Sequence, residues 1–341
     1  MWQETTQHER NLRIWDEQLE DFVPDRVLDF HVHIWDRATV GAAEPFSCGG
    51  HSLTEYDFDD LREDLRYAYP GRQTSVVCFG LPDVTYDMAA NNACVAAGCD
   101  HARFFPLRLV DPHEDPDAVR QDVLQSRFVG FKPYLDYVRK ADPNEVTIHE
   151  MLPARLMRVA DELGLLVMLH IPRKQRLADP VNQTQLCELC AAWPHAKIVL
   201  AHVGRAYYLK NVVGHLERLK GFRNLYYDVS MVNHWEVLEH LFSVADSDRV
   251  LYATDTPIAL AAGKSVEIND QYTYVTPLPW HLSISDDHGK LVFTSFLYEQ
   301  LRAIRRAVER LDLPRSFVEG MFHENGTQLL ESVPRKGGRR I

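Results

Sequence analysis

Several things are scarce in this chain, and each scarcity closes a class of answer. No apolar run in its 341 residues approaches the length of a membrane span, so a membrane partner is not expected. Positive charge is in deficit, with 37 Lys and Arg against 49 Asp and Glu and a formal net charge of −12. That balance argues against a nucleic-acid partner, which would need a basic footprint. The six cysteines are few and scattered, which suits a reducing cytoplasm better than a disulfide framework. Cys187 and Cys190 form a lone CxxC, but Gln185 to Cys190 reads as helix, so one buried face accounts for them better than a redox or zinc pair. No G-x-G-x-x-G follows an early strand, which weakens a doubly wound dinucleotide fold. No signal peptide is read in the polar stretch Met1 to Arg10, and the only low-complexity tract, Arg335 to Arg340, reads as a frayed end.

What is present starts with Asp29-Phe30-His31-Val32-His33-Ile34-Trp35, preceded by Val27-Leu28. A short run of strand formers carries two histidines two residues apart. In a strand, residues i and i+2 point the same way, so both imidazoles can face one point, as a metal site requires. Alone, His-x-His is a weak signal. It gains weight from the later strands, several of which end in a ligand-type or basic residue.

Taken in order, Leu12, Trp15, Leu19 and Phe22 fall at helical spacing and predict an N-terminal helix stopped by Pro24. Strand-like runs follow at Val27–Trp35, Thr74–Gly80, Phe104–Val110, Phe128–Tyr134, Leu165–His170, Lys197–His202, Leu225–Ser230 and Val250–Asp255. Helical patterns lie between them: Tyr56–Tyr69, Tyr86–Gly98, Asp117–Ser126, a helix opened by the capping box Thr147–Glu150 and closed at Gly164, Pro180–Trp193, Tyr207–Lys220 and Trp235–Val244. The apolar runs at 165–170 and 197–202 suit strands buried on both faces. Eight strands alternating with helices predict an α/β fold, a (β/α)8 TIM barrel with an N-terminal helix and a long insertion after strand eight. The expected organisation is a single barrel domain over residues 1–341, with its core at about 25–332 and the segment 258–290 serving as a lid, a binding loop or an oligomer contact.

In such a barrel the C-terminal ends of the strands form one ring, and catalytic groups come from several of them. His31, His33, Lys132, His170, His202 and Asp255 would all lie on that ring. About one βα unit separates His170 from His202, and close to two separate His202 from Asp255. Imidazole and carboxylate suit Zn²⁺, and three or four such ligands leave a position for water whose pKa then falls toward neutrality. Asp255 could take the proton of that water. His202 is either a further ligand or a hydrogen-bond partner of the substrate oxygen where charge develops.

The set His31-x-His33, His170, His202 and Asp255 on successive strand ends resembles the amidohydrolase superfamily. More narrowly, the chain resembles the amidohydrolase-related metal-dependent hydrolases, a branch that also contains nonoxidative decarboxylases. The stretch from Asp312-Leu313-Pro314 through Met321 to Leu330 is similar to that branch's closing helix, whose usual Gly-Asn-Ala here reads Glu324-Asn325-Gly326. The resemblance covers residues 25 to 332. It implies one divalent metal, most simply Zn²⁺, held by His31, His33, His170 and Asp255, with His202 as the catalytic partner. In binuclear members a strand-four lysine is carboxylated and bridges two metals. The context Gly130-Phe131-Lys132 also resembles mononuclear members, so the mononuclear site is favoured and Lys132 is read as a group for a substrate carboxylate. Tyr134, Arg173 and Arg205 follow strand ends and are further candidates to bind an anionic substrate group. Asp228 is read as a support for its neighbours.

The expected activity is metal-dependent hydrolysis of a small carbonyl substrate: an ester, a lactone or an amide. The rival on the same site is decarboxylation of an aromatic or unsaturated carboxylic acid, and a rival of another kind is a non-catalytic metal-binding barrel. The expected partner is a small molecule, with a homo-oligomer left open.

Overall fold

The computed structural model describes residues 8–334; the expectation of a frayed end at Arg335–Arg340 lies outside them. Eight parallel strands run in sequential order around a nearly closed barrel: β1 (Arg26–His33), β2 (Gln73–Phe79), β3 (Phe104–Val110), β4 (Gly130–Pro133), β5 (Leu166–Leu169), β6 (Lys197–Leu200), β7 (Leu225–Asp228) and β8 (Val250–Leu251). The (β/α)8 barrel expected from the alternation is therefore the fold. Every residue of β3, β4 and β5 is buried, as strands covered on both faces must be.

The eighth strand is shorter than expected. Regular pairing stops at Leu251, and Asp255 takes a φ of 76°, in the left-handed region that disfavours a side chain. The ring closes all the same. Phe30 N donates to Tyr252 O at 3.0 Å, Asp255 N to His31 O at 2.9 Å and His33 N to Thr256 O at 2.9 Å. Where β1 bulges between Asp29 and Val32, the Asp29 carboxylate completes the seam. It accepts from His31 N at 3.1 Å, from Thr254 N at 3.0 Å and from the Thr254 hydroxyl.

Around the strands lie α1 (Phe58–Ala68), α2 (Met88–Gly98), α3 (Pro116–Ser126), α4 (Ala154–Glu162), α5 (Pro180–Ala192), α6 (Trp235–Val244) and α7 (Phe296–Arg310). Five of them open on a side-chain cap, Asp57, Asp87, Asp115, Asp179 and Ser295 respectively for α1, α2, α3, α5 and α7. Each cap satisfies amide donors that a helix start leaves unpaired.

Two helical expectations are corrected. The Thr147–Glu150 capping box is present, but Pro153 splits the helix into Ile148–Met151 and α4, because proline bars Leu152 from helical geometry. The stretch Tyr207–Lys220 holds only short 3₁₀ turns at Leu209–Asn211 and Glu217–Leu219. Two adjacent valines and Gly214, at a φ of 79°, are poor helix formers in its middle. The N-terminal segment is helical from His8 to Ile14 and widens into a π turn at Trp15–Leu19. Its Trp15 ring lies 6.4 Å from that of Tyr298 on α7.

The insertion after strand eight is not structureless. It forms a three-stranded sheet of β9 (Lys264–Glu267), β10 (Tyr272–Thr276) and β11 (Ser283–Ser285). Tyr272 packs on Tyr207 at 4.6 Å and receives a hydrogen bond from Arg176 at 3.0 Å. Trp280 donates to the carbonyl of Ser47 at 3.2 Å, in the hairpin that follows β1. No described helix is long and apolar enough to cross a membrane.

One buried carboxyl in this frame makes stability depend on pH. Asp64 on α1 is 6% exposed and accepts from the Tyr56 hydroxyl at 2.9 Å. Burial outweighs that bond and raises its pKa from 3.8 to about 7. Between those values the folded chain holds a proton that the unfolded chain has lost, so stability falls as pH rises from about 4 to about 7. Asp64→Asn keeps a neutral partner for Tyr56. It should be more stable than the wild type at pH 8, by on the order of 2–4 kcal/mol. The gap should close below about pH 4. Denaturant unfolding across that range checks it; a gap independent of pH would refute the account.

Candidate metal centre

The candidate residues sit where the strands end. His31 and His33 are the closing residues of β1, Lys132 lies near the end of β4, His170 follows β5, His202 follows β6, Asp228 ends β7 and Asp255 follows β8. His31, His33 and Asp255 come together with donor atoms all within 4.8 Å of one another. Asp255 Oδ1 is 3.1 Å from His33 Nε2 and 3.2 Å from His31 Nε2.

Hydrogen bonds on the far side of each ring fix which nitrogen faces this point. Gly80 O, which can only accept, takes the proton of His33 Nδ1 at 3.1 Å. The Asp228 carboxylate takes that of His31 Nδ1 at 2.8 Å. Both Nε2 atoms therefore turn a lone pair toward the point where Asp255 Oδ1 lies, as the ligating nitrogen of a metal-bound imidazole is turned to its metal when the other nitrogen is so held. Two lone pairs facing a carboxylate oxygen repel unless positive charge lies among them. One source is a proton on His31: burial and Lys132 lower its pKa, but Asp228 and Asp255 outweigh them and raise it. A divalent cation fits the same donor set.

Asp228 ties a second histidine to the first. It is fully buried and accepts from His31 Nδ1, from His202 N at 2.8 Å, from Ser230 N at 3.1 Å and from the Ser230 hydroxyl. Ser230 in turn accepts His202 Nδ1–H through its hydroxyl at 2.8 Å and its carbonyl at 3.1 Å. Neutral His202 thus carries its lone pair on Nε2. Burial lowers its pKa to about 4. Its backbone is unusual too, since His202, Val203, Gly204 and Arg205 all have φ between 54° and 70°. Such left-handed residues cost free energy unless their surroundings hold them, and here Asp228 and Ser230 do so.

Lys132 is 1% exposed, with Nζ 3.3 Å from His31 Nε2 and 4.5 Å from the centre of the Phe79 ring. Burial lowers its pKa to about 8, although Asp255 and Asp228 oppose the shift. Asp255 moves the other way: burial raises it, but His31, His33 and His202 hold it well below the ordinary carboxylate range. Phe79 also packs edge-on against His31 and His33 at 4.9 Å and 4.7 Å.

A cavity of about 130 Å³ opens onto this cluster. His31, His33, Lys132, Tyr134, His170, His202 and Asp255 all line it, as do Phe46, Asp83 and Ile258. His170 stands across it, outside the tight donor group, with its ring 5.4 Å from His202 and 4.9 Å from Tyr134. Its Nδ1 is buried without a hydrogen-bond partner, an orphan a cation could satisfy. The two arginines lie further out. Arg173 Nε donates to Asp179 at 2.9 Å, and Arg205 donates to Ile171 O at 3.1 Å. Phe79, Gly80, Asp83 and Ser230 were not singled out from the sequence. Gly80 carries a legible signal only in retrospect: it follows a strand, and a Cβ there would meet Asn91 Oδ1 at 2.1 Å.

Comparison with known proteins gives the fold and the family. Among curated proteins none matches. Of solved structures, an amidohydrolase 2 from Bifidobacterium longum subsp. infantis is 15% identical with a TM-score of 0.55, over 90% of this chain and 99% of that one. The 5-carboxyvanillate decarboxylase of Sphingomonas paucimobilis is 14% identical with a TM-score of 0.58, over 90% and 99%. A probable 2-pyrone-4,6-dicarboxylic acid hydrolase from Acinetobacter baumannii is 13% identical with a TM-score of 0.54, over 89% and 98%. These likenesses show the fold. The sequence model of one family, amidohydrolase, matches residues 28–330, nearly the whole barrel with every strand-end residue described above, and the chain belongs to that family.

Proposed function

We propose that this protein is a metal-dependent hydrolase of a small carbonyl substrate: an ester, a lactone or an amide. The observation that carries the reading is the convergence of His31 Nε2 and His33 Nε2 on Asp255 Oδ1, with the unpartnered Nδ1 of His170 across the same cavity. His31, His33, His170 and Asp255 would hold one divalent ion, Zn²⁺ by donor type. Such an ion would supply Lewis acidity, which lowers the pKa of water and polarises a carbonyl.

The chain's own groups do the rest. Asp255 is kept ionised and accepts the proton of the attacking water. His202 acts on the substrate oxygen. Its Nδ1 proton is committed to Ser230, so Nε2 must take up a proton before it can donate one, and its depressed pKa makes that imidazolium a strong donor. Lys132 and Tyr134 hold the substrate from the wall of the cavity. Arg173 and Arg205 attract an anionic substituent from beyond it.

Decarboxylation of an aromatic or unsaturated carboxylic acid is the second reading. Arg205 favours it: its guanidinium makes one hydrogen bond, to a carbonyl, and has no carboxylate partner among the described residues. It stands close enough to His170 and Tyr134 to bear on the titration of both. A guanidinium so placed suits a carboxylate. A panel of lactones, esters, amides and carboxylated aromatics, assayed for both acid release and CO2 release, separates the readings. Hydrolysis without CO2 supports the first, and CO2 alone overturns it for the second. Bound metal with no turnover on any of them would leave a non-catalytic barrel.

Ligand and catalyst are told apart by substitution. His170→Ala should lose metal, because a broken coordination shell weakens affinity. His202→Ala should keep most of its metal and lower kcat and kcat/KM together, by ~10²–10³. A His202→Ala protein purified metal-free would make His202 a ligand and overturn its assigned role.

Lys132→Ala should leave metal near one ion per chain and act on substrate binding or rate. Loss of a second ion in that variant, or a carbamate on Lys132 in a loaded crystal, would replace the mononuclear site with a bridged one.

A further inference from the structure

Away from the metal centre, the wall between β2 and α2 gathers three of the six cysteines. Cys78 lies on β2 and is wholly buried. Cys99 follows α2 directly and is partly exposed, and Cys94 lies one turn back on that helix. The sulfurs of Cys78 and Cys99 stand 3.4 Å apart. Cys94 is turned aside, with its thiol bonded to the Asp36 carboxylate.

We propose that Cys78 and Cys99 form a reversible intramolecular disulfide, with Cys99 as the thiol that meets the oxidant and Cys78 as the one that resolves it. The oxidant is a hydroperoxide. Cys99, as thiolate, attacks one peroxide oxygen; the O–O bond breaks, hydroxide leaves, and Cys99 becomes a sulfenic acid. The Cys78 sulfur then attacks the Cys99 sulfur. The S–O bond breaks, and the hydroxyl leaves as water with the Cys78 proton. Two thiols and one hydrogen peroxide give one disulfide and two waters, and a dithiol reductant reverses the change.

Geometry supports each role. An S–S bond is ~2.05 Å long, so the pair must close by about 1.4 Å. Cys99 lies just past the end of α2 rather than within a strand, so the movement asked of it falls outside the barrel's ladder. Of the two only Cys99 is partly exposed, and oxidation follows exposure and thiolate character. Cys78 cannot be reached first, but it is already in place once the sulfenic acid forms. The position also matters to the site. Cys78 precedes Phe79, whose ring packs on His31 and His33, and Gly80, whose carbonyl holds His33. In its structural alternative the pair is only two small apolar side chains in contact.

The test uses the full-length, metal-loaded protein and hydrogen peroxide. After treatment, alkylation and digestion without reductant, mass spectrometry should find the Cys78 and Cys99 peptides joined and lighter by two hydrogens. Thiol titration of the unfolded protein should show two of the six thiols lost, with dithiothreitol restoring them. Cys94→Ser should still form the link, and Cys99→Ser should not. If either serine variant fails to fold, the peptide map of the wild type decides alone. A Cys94–Cys99 link, a link between two chains, all six thiols retained, or Cys99 carried to the sulfinic acid without a link would each overturn the proposal.

Discussion

The seam between the first and the last strand is the constraint on which the rest of this structure depends. His33 and Asp255 are 222 positions apart in the chain and 3.1 Å apart in space. Only ring closure brings them together, and closure is made with little regular pairing. The eighth strand has two ladder residues, so three single backbone bonds and the Asp29 carboxylate carry the contact. A buried carboxylate is costly without partners. Asp29 has three, one of them His31 N itself, so the group that seals the barrel also fixes the backbone of a proposed ligand.

From that seam the order spreads through a second buried carboxylate. Asp228 meets His31 on one side and, through Ser230, His202 on the other. It thereby sets the tautomer of two rings at once. Interactions of this kind gain strength in a water-poor interior, and a half-satisfied network there would be worse than none. Asp228 has no idle oxygen, and its pKa falls to about 2: burial raises it, but His31 and the other donors more than compensate. Around the lowered carboxylates of Asp228 and Asp255 stand His31, Lys132, His170 and His202. The strand ends thus hold opposed charges in place before any ligand arrives, which is the preorganisation that catalysis by fixed dipoles and charges requires.

The barrel and the ring of strand-end residues were legible in the sequence because both rest on local periodicity. A spacing of two in a strand puts His31 and His33 on one face, and apolar runs ending in His170 and His202 mark strand exits. What stayed hidden depends on contacts between distant residues. The proton on His202 Nδ1 is decided by Ser230, and the shortened eighth strand by Asp29 and Thr254. The missing helix after strand six reflects a left-handed turn at residues 202–205 that no propensity foretells, followed by Gly214. The insertion after strand eight read as an irregular loop because β9, β10 and β11 are three to five residues long, too short to show a period.

The same division explains why the strand-end cluster was easier to read than a substrate. The groups proposed to act come from strand ends, whose positions the barrel dictates. The walls that would choose a substrate come from loops: Phe46 from the hairpin after β1, Asp83 from the loop after β2, Tyr134 from that after β4, and Ile258 from the start of the insertion. Each is placed by its own tertiary contacts, as Trp280 shows when it fastens the insertion to Ser47 beside Phe46. A change in one loop can therefore alter the cavity without touching His31, His33 or Asp255. One donor set can serve several reactions in this way. Asp83 and Lys132 both line the cavity, so an anionic group brought into it meets one charge that repels and one that attracts.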